Sequence, residues 1–578
     1  MTGTGNEDVP QLRGWTWQDR AKGSIPVGAT LNPLNEPLDG LEVFPTAYVP
    51  DRLLLTESLQ GEDDPYQVLE EAAAAFGWRI SPQLLDGTPL PTENHYPEPR
   101  FPQAPVTIRL RITSSDQAGQ ESPAPPDAWR VLQRARRLRY LARLRAEGTD
   151  PDQVEQPRLE RADLLPGVGL EHIVSIDPVG LNAFTHTNPF THSNPYTHSN
   201  PYTHSNPYTH SNPFTSSNPA DEYCLPGSGG RTPVAWLGPA PVRCSDKAVR
   251  GRRPVVAILV TGCGKHDWLP PAIVDRHVTL DGRPVGLSGP ANPELHPDLY
   301  GPLDGQLDPV AGHGTFIAGL VRQLAPDADV LAIRAADALG VVEESTLLAI
   351  IEDLGVLLAR YRARRRGGRP IDVLNLSLSY YHETPQDGAY SLGLYLLLAA
   401  LRALGCTVVC SAGNDATDRP TFPASLWPWP GADNGLTPDP AGYADHLSVG
   451  ALNPGGHAAA LFSNVGPWVK TWAIGASVIS TSPAFQGGLQ ATARDDAYQL
   501  RRETQDPDDY RGGFAIWSGT SFAAPVVAGA VAAELSTPLI AGDHADDATP
   551  AATEAAVKTA RLAAEAVLAR FADRANLS

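Results

Sequence analysis

Between residues 254 and 452 the chain repeats a pattern that few folds can accommodate. Short runs rich in β-branched residues and leucine, "PVVAILV", "DVLAIRA", "IDVLNLSLS", "CTVVCSA" and "HLSVGAL", alternate with helical patterns such as 345–364 and 391–405. Strands this uniformly apolar are buried on both faces. Their alternation with helices implies a parallel sheet covered on both sides. Residues 251–540 therefore read as one α/β domain, followed by a C-terminal helical segment over 541–578.

The other half is organised differently. Residues 1–44 are rich in Pro, Gly and polar residues and read as a loose segment. Over 45–180 the signals alternate. "DRLLLTE" (51–57) reads as a strand. Val68, Leu69, Ala72 and Phe76 recur at helical spacing until Gly77. "VTIRLRIT" (106–113) alternates strictly, a second helix covers roughly Asp127 to Glu147, and "HIVSIDPV" (172–179) is a further strand. That is a small α+β unit. Its second helix carries seven arginines from Arg130 to Arg145, which read as a solvated basic face.

A linker is expected over 181–250. It contains six imperfect copies of the hexapeptide THSNPY, from Thr185 to Ala220. Each copy pairs an Asn-Pro turn starter with little that could form a core. In a polyproline-like chain a six-residue period would align the aromatics on one face. It would also set His186, His192, His198, His204 and His210 about 19 Å apart in turn, too far to share an ion without looping. A spacer is the preferred reading over a metal-binding tract, and no metal or cofactor is expected.

The balance of 45 Lys and Arg against 65 Asp and Glu gives a net charge of −20. Such a surface opposes generic nucleic-acid binding. No uninterrupted apolar run has the length of a membrane span. The N-terminus lacks the basic and apolar regions of a secretory signal, so a cytoplasmic protein without membrane contact is expected. Five cysteines, an odd and sparse set, do not make a disulfide framework, and Cys406 and Cys410 are expected to pack as small apolar residues.

Three segments of the α/β region have the residue types that acyl transfer needs. In "AGHGTFIAGLV" (311–321), His313 stands between glycines at a loop-to-helix junction. In "CSAGND" (410–415), Asn414 follows a glycine at the end of a strand, where its amide can enter a cleft. In "SGTSFAAPVVAGAVAA" (518–533), Ser521 opens an apolar helix, because Pro525 has no N–H to give four residues back. The helix N-terminus there favours a developing oxyanion.

Together these segments resemble the subtilase family of subtilisin-like serine peptidases. The matches are H-G-T around His313, S-A-G-N ending at Asn414, and G-T-S-x-x-x-P from Gly519 to Pro525. "FSNVGPWVKTWAIGASVIST" (462–481) is similar to the family's F-S-N-x-G segment. The resemblance spans about residues 250–536. It implies a three-layer α/β sandwich with a mainly parallel sheet. It also implies a serine-type endopeptidase acting on a peptide or protein substrate, with Ser521 as nucleophile, His313 as general base and Asn414 as oxyanion donor. "NLSLS" (375–379) is similar to the strand that pairs with substrate backbone, with Ser379 where the family often has Gly. The N-terminal α+β unit then resembles a ferredoxin-like propeptide, an intramolecular partner, and the hexapeptide tract occupies the junction where family members are cut.

One element departs. The family's aspartate closes a strand before Thr/Ser-Gly, and in "VVAILVTGCG" (255–264) that position is Val260. The aspartate orients the imidazole and stabilises the imidazolium. Asp267, Asp304 and Asp308 lie near in sequence, and Asp267 and Asp308 read as surface carboxylates. Two classes of function follow: a peptidase with an incomplete or rebuilt triad, favoured by His313, Asn414 and Ser521, or a peptide-binding pseudoprotease, favoured by Val260.

Overall fold

Strand β1 (Ala47–Thr56), helix α1 (Tyr66–Ala74), strands β2 (Trp78–Gln83) and β3 (Thr107–Ser114), helix α2 (Ala128–Ala146) and strand β4 (Val168–Ser175) succeed one another in the N-terminal part of this computed structural model. The structure describes residues 28–38, 40–57, 65–91, 96–115, 124–150, 159–176, 231–300, 305–384, 391–430, 436, 442–488, 491, 493–495, 498–503, 505–506, 508–542 and 549–572. The hexapeptide tract lies outside these residues.

The N-terminal sheet runs β4-β1-β3-β2, all antiparallel. With two helices sharing its core, this is a ferredoxin-like arrangement. The alternation of β3 explains its orientation: Ile108, Leu110 and Ile112 are buried, while the arginines between them face the other way. On α2 the basic face is less solvated than its composition implies. Arg136 is fully buried and donates to Gln133 Oε1 (2.8 Å) and to the Leu164 carbonyl (3.3 Å). Arg130 lies over the ring of Phe76.

The α/β domain continues with β5 (Thr232–Val234), β6 (Val255–Val260), α3 (His313–Leu324), β7 (Asp329–Arg334), β8 (Val341–Glu343), α4 (Glu344–Arg362), β9 (Val373–Leu376) and α5 (Leu392–Ala403). Then follow β10 (Thr407–Ser411), β11 (His446–Leu452), β12 (Thr471–Ile474), β13 (Val478–Thr481), β14 (Phe514–Trp517), α6 (Thr520–Ala541) and α7 (Pro550–Ala572). The main sheet runs β12-β11-β10-β9-β6-β7, with the two-residue strand Val274–Asp275 outside β7, and every pair is parallel.

Central strand β6 shows the three layers directly. Val256, Ile258 and Val260 join the core that holds α3, α6 and α7, whereas Val255, Ala257 and Leu259 join the core that holds α4 and α5. Val260 therefore points into the layer that carries His313 and Ser521. Helix α6 is, by length and composition, apolar enough to cross a membrane, although the sequence shows no uninterrupted run of that length. It is instead a core helix: at Gly529 an added Cβ would come 2.9 Å from the Leu324 Cβ of α3.

Two features differ from expectation. The stretch from Arg231 onward, read as the end of the linker, belongs to the α/β domain, because β5 pairs antiparallel with β14. The N-terminal sheet also does not end at β4. Strand β8 of the α/β domain pairs antiparallel with β4, Val341 opposite Ser175 and Glu343 opposite Ile173. On its other side Ser175 exchanges backbone hydrogen bonds with Ser379 (2.9 and 2.8 Å), and the Ile176 N–H donates to the Gly340 carbonyl at 2.7 Å. The end of β4 is thus a strand inserted between two segments of the α/β domain.

Candidate active site

His313 is the first residue of α3, and Gly312 before it has φ +81°, a left-handed conformation that favours glycine. The next glycine is required by packing. A Cβ at Gly314 would lie 1.9 Å from the Gly262 carbonyl oxygen and 2.8 Å from Val260 Cγ2. The end of β6 and the first turn of α3 are therefore in contact, with the Val260 side chain against the turn that begins at His313.

The first turn is held by a residue that motif reasoning missed. Glu294, buried in the loop before α3, accepts from the Gly314 N–H (2.8 Å), the Thr315 N–H (3.2 Å), Thr315 Oγ1 and Thr261 Oγ1. A carboxylate at that end also complements the helix dipole. Its only local signal is the "NPE" turn, in which Asn292 Oδ1 accepts the Glu294 N–H, and such a turn does not predict a partner 20 residues away.

The imidazole of His313 is fully buried, and neither ring nitrogen has a hydrogen-bond partner among the described residues. Aromatic rings surround it: Trp517 at 5.6 Å, edge-on, and Phe522 at 5.2 Å. Burial first, and then the positive charge of Arg231, push its pKa down to about 3. Asp267 is exposed and is not hydrogen-bonded to the ring. Asp308 is buried, contrary to its reading as a surface carboxylate, and its Oδ2 accepts the Leu299 N–H at 2.5 Å. Asp304 lies outside the described residues. None of the described carboxylates is hydrogen-bonded to His313.

Arg231, also missed in the sequence, explains the positive charge. It is buried, it donates to the carbonyls of Ala311 and Asp308 (2.8 Å for the latter), and its guanidinium lies 4.6 Å from the centroid of Trp517. Strand β5 delivers it, through pairing with the strand that ends in Trp517.

Ser521 stands in the first turn of α6 and is almost fully buried. Its carbonyl accepts from Ser377 Oγ (2.9 Å), which ties the helix start to the substrate-strand candidate "NLSLS". The neighbouring Thr520 fixes Asn414. The Thr520 N–H and Oγ1 both donate to Asn414 Oδ1, at 2.8 and 2.9 Å. A backbone N–H must face the amide oxygen, so Nδ2 is turned the other way. That Nδ2 is buried and has no partner among the described residues. A buried, unspent N–H donor beside a serine at a helix N-terminus is what an oxyanion needs. His313 meets the same turn through the Phe522 ring, next in sequence to Ser521.

A sequence profile of the Subtilase family matches residues 251–571, more than half of the chain. The chain belongs to the subtilase family. Among curated subtilases and related proteases it is similar to Mycosin-4 from Mycobacterium tuberculosis, 26% identical over 308 residues, which cover 50% of this chain and 56% of that protein. It is also similar to an intracellular serine protease from Paenibacillus polymyxa, 26% identical over 49% of this chain and 67% of that protein. A thermophilic serine proteinase from a Bacillus species is 28% identical over 41% of this chain and 48% of that protein. The chain spans only about half the length of several curated relatives, as with the 56% of Mycosin-4. Among solved structures, a cold adapted subtilisin-like serine proteinase overlaps 58% of this chain and 90% of its own, with 19% identity and a TM-score of 0.30. The family's three-layer parallel sandwich is visible in the sheet order itself.

Proposed function

We propose that this subtilase is a serine endopeptidase with an incomplete triad. Ser521 Oγ attacks the carbonyl carbon of a peptide bond as its proton passes to His313. The tetrahedral oxyanion takes the free N–H of Asn414 Nδ2 and the α6 N-terminus. His313 then returns the proton to the leaving amine, and water repeats the sequence on the acyl-enzyme. The observation that carries this reading is the buried Asn414 Nδ2, oriented by Thr520 and otherwise unpartnered among the described residues. Backbone recognition comes from Gly340 and Ser379, which already hold Ser175 and Ile176 as an added strand. The ferredoxin-like unit is, on this reading, an intramolecular propeptide, and the substrates are peptides or proteins rather than nucleic acid, met in the cytoplasm.

A second reading is favoured by Val260 and Arg231. A base pushed down to about pH 3, with a cation beside it and no carboxylate, gains a proton from serine at high cost. In subtilisin, loss of the aspartate alone costs about 3 × 10⁴ in kcat. A peptide-binding pseudoprotease would keep the cleft and lose the turnover. Labelling with a fluorophosphonate separates the two: adduct on Ser521, absent in Ser521→Ala, supports the peptidase, and no labelling after prolonged exposure supports the binder.

A further inference from the structure

Three residues before Ser175 on β4 is His172, buried on both sides of its ring. Its Nδ1 lies 2.7 Å from Glu344 Oε2 and its Nε2 lies 2.9 Å from Glu383 Oε2. Both carboxylates belong to the α/β domain: Glu344 opens α4, and Glu383 follows the strand segment that ends in Ser379 and Tyr380. The ring stacks on Tyr380 at 4.5 Å, and the Tyr380 hydroxyl donates to Glu344 Oε1 (3.0 Å). A neutral imidazole has one N–H and satisfies only one carboxylate, whereas an imidazolium satisfies both. Two carboxylates buried here without a cation would be costly.

We propose that Glu344 and Glu383 form a cation-selecting subsite of the peptide cleft, filled within the chain by His172. The subsite takes an imidazolium, ammonium or guanidinium side chain three residues upstream of the residue that pairs with Ser379. It rests on the cleft reading above but not on turnover. Once β4 is displaced, a substrate with His, Lys or Arg at that position restores the charge balance, and one with Ala or Glu leaves the carboxylates unpaired.

The surroundings fix the sign of the pH dependence. Burial by itself pulls His172 down, but Glu344 and Glu383 outweigh it and push the imidazole up to about 9. Glu383 is held below the usual carboxylate range despite its burial, by His382 and His172 and by Arg136 from α2. Burial lowers His382 to about 3, with Arg136 and Arg419 adding to the effect, so it is not the cation of the pocket. Thr384 N–H and Oγ1 meet His382 Nδ1 at 3.1 and 3.2 Å, so that nitrogen already has hydrogen-bond partners. A group whose folded pKa is raised stabilises docking fully below about pH 6.5, and that contribution is lost as pH rises through about 9.

The test is amide hydrogen exchange across β4 in the full chain, in the Ser521→Ala background so that the chain stays intact and no catalysis is read. We expect wild-type residue 172 to protect the 171–176 amides at pH 7 and to lose protection near pH 9 to 10. His172→Lys keeps protection through pH 10, and His172→Gln loses about tenfold or more at pH 7. Glu383→Gln, which needs no new cation to fit, moves the wild-type loss down by a pH unit or more. Protection in His172→Gln equal to wild type, an unshifted profile in Glu383→Gln, or one zinc ion retained per wild-type chain would each overturn the proposal.

Discussion

Arg231 and His313 lie against the same indole, that of Trp517, the guanidinium carbon 4.6 Å and the imidazole centroid 5.6 Å from its ring centre. A subtilase with a carboxylate on its histidine favours the imidazolium. Here burial and the positive charge of Arg231 both oppose the imidazolium. Replacing Arg231 with Met removes that charge and keeps most of the packing. The His313 pKa, followed by NMR, should rise from about 3 by about one unit, since burial remains. The carbonyls of Ala311 and Asp308 lose their donor, so stability should fall by roughly 1–3 kcal/mol. A purely structural Arg231 would give the second effect without the first.

Acid should unfold this protein steeply. His313, His382 and His446 are buried and each is pushed down to about 3, chiefly by burial. The unfolded chain binds these protons near pH 6.5 and the folded chain does not. Stability therefore falls as pH drops from about 6.5 towards 3, by up to about 4 kcal/mol per unit when all three contribute. The lowered carboxyl of Glu383 acts in the same direction. Denaturant titrations at pH 7, 6, 5 and 4 measure the slope. His446→Leu should flatten it by about one proton, and an unchanged slope in that variant would remove His446 from the account.

The position of Ile176 also predicts where the chain would be cut. Ser175 and Ile176 are already paired with Ser379 and Gly340, so if this strand is bound as substrate the scissile bond should fall shortly after Ile176. If the protein processes itself, mass spectrometry should find a Ser521-dependent new N-terminus within a few residues after Ile176. A Ser521-dependent cut confined to the repeats at 185–220 would show that β4 is not the bound segment during cleavage.

How much of this was legible in the sequence depends on how local the cause was. Strands β6, β7, β9, β10 and β11 are buried on both faces, and continuous apolar runs announced them. Strand β2 was missed: it is six residues long and contains Pro82, at the edge of the sheet beside β3, where proline is tolerated. Motif spacing singled out His313, Asn414 and Ser521, and the structure reports their surroundings. Arg231 and Glu294 were not legible, because each acts on a residue 20 or more positions away, through a strand pairing or a loop closure that no local pattern encodes. The loss at Val260 was legible only against the family's pattern. Its consequence needed the structure, where β6 turns that side chain towards the layer of His313.

On the proposed reading, this fold keeps a nucleophile, a base and an oxyanion donor but lacks the group that charges the base. The decisive measurement is kcat/KM of Val260→Asp on a peptide ester. Val260 is fully buried and lies against the first turn of α3, which Glu294 already holds, so a new carboxylate is tolerated there only if it is paired by His313. We predict a gain of about 10³ or more, with Ser521→Ala abolishing it. A folded Val260→Asp protein with an unchanged rate would contradict the account.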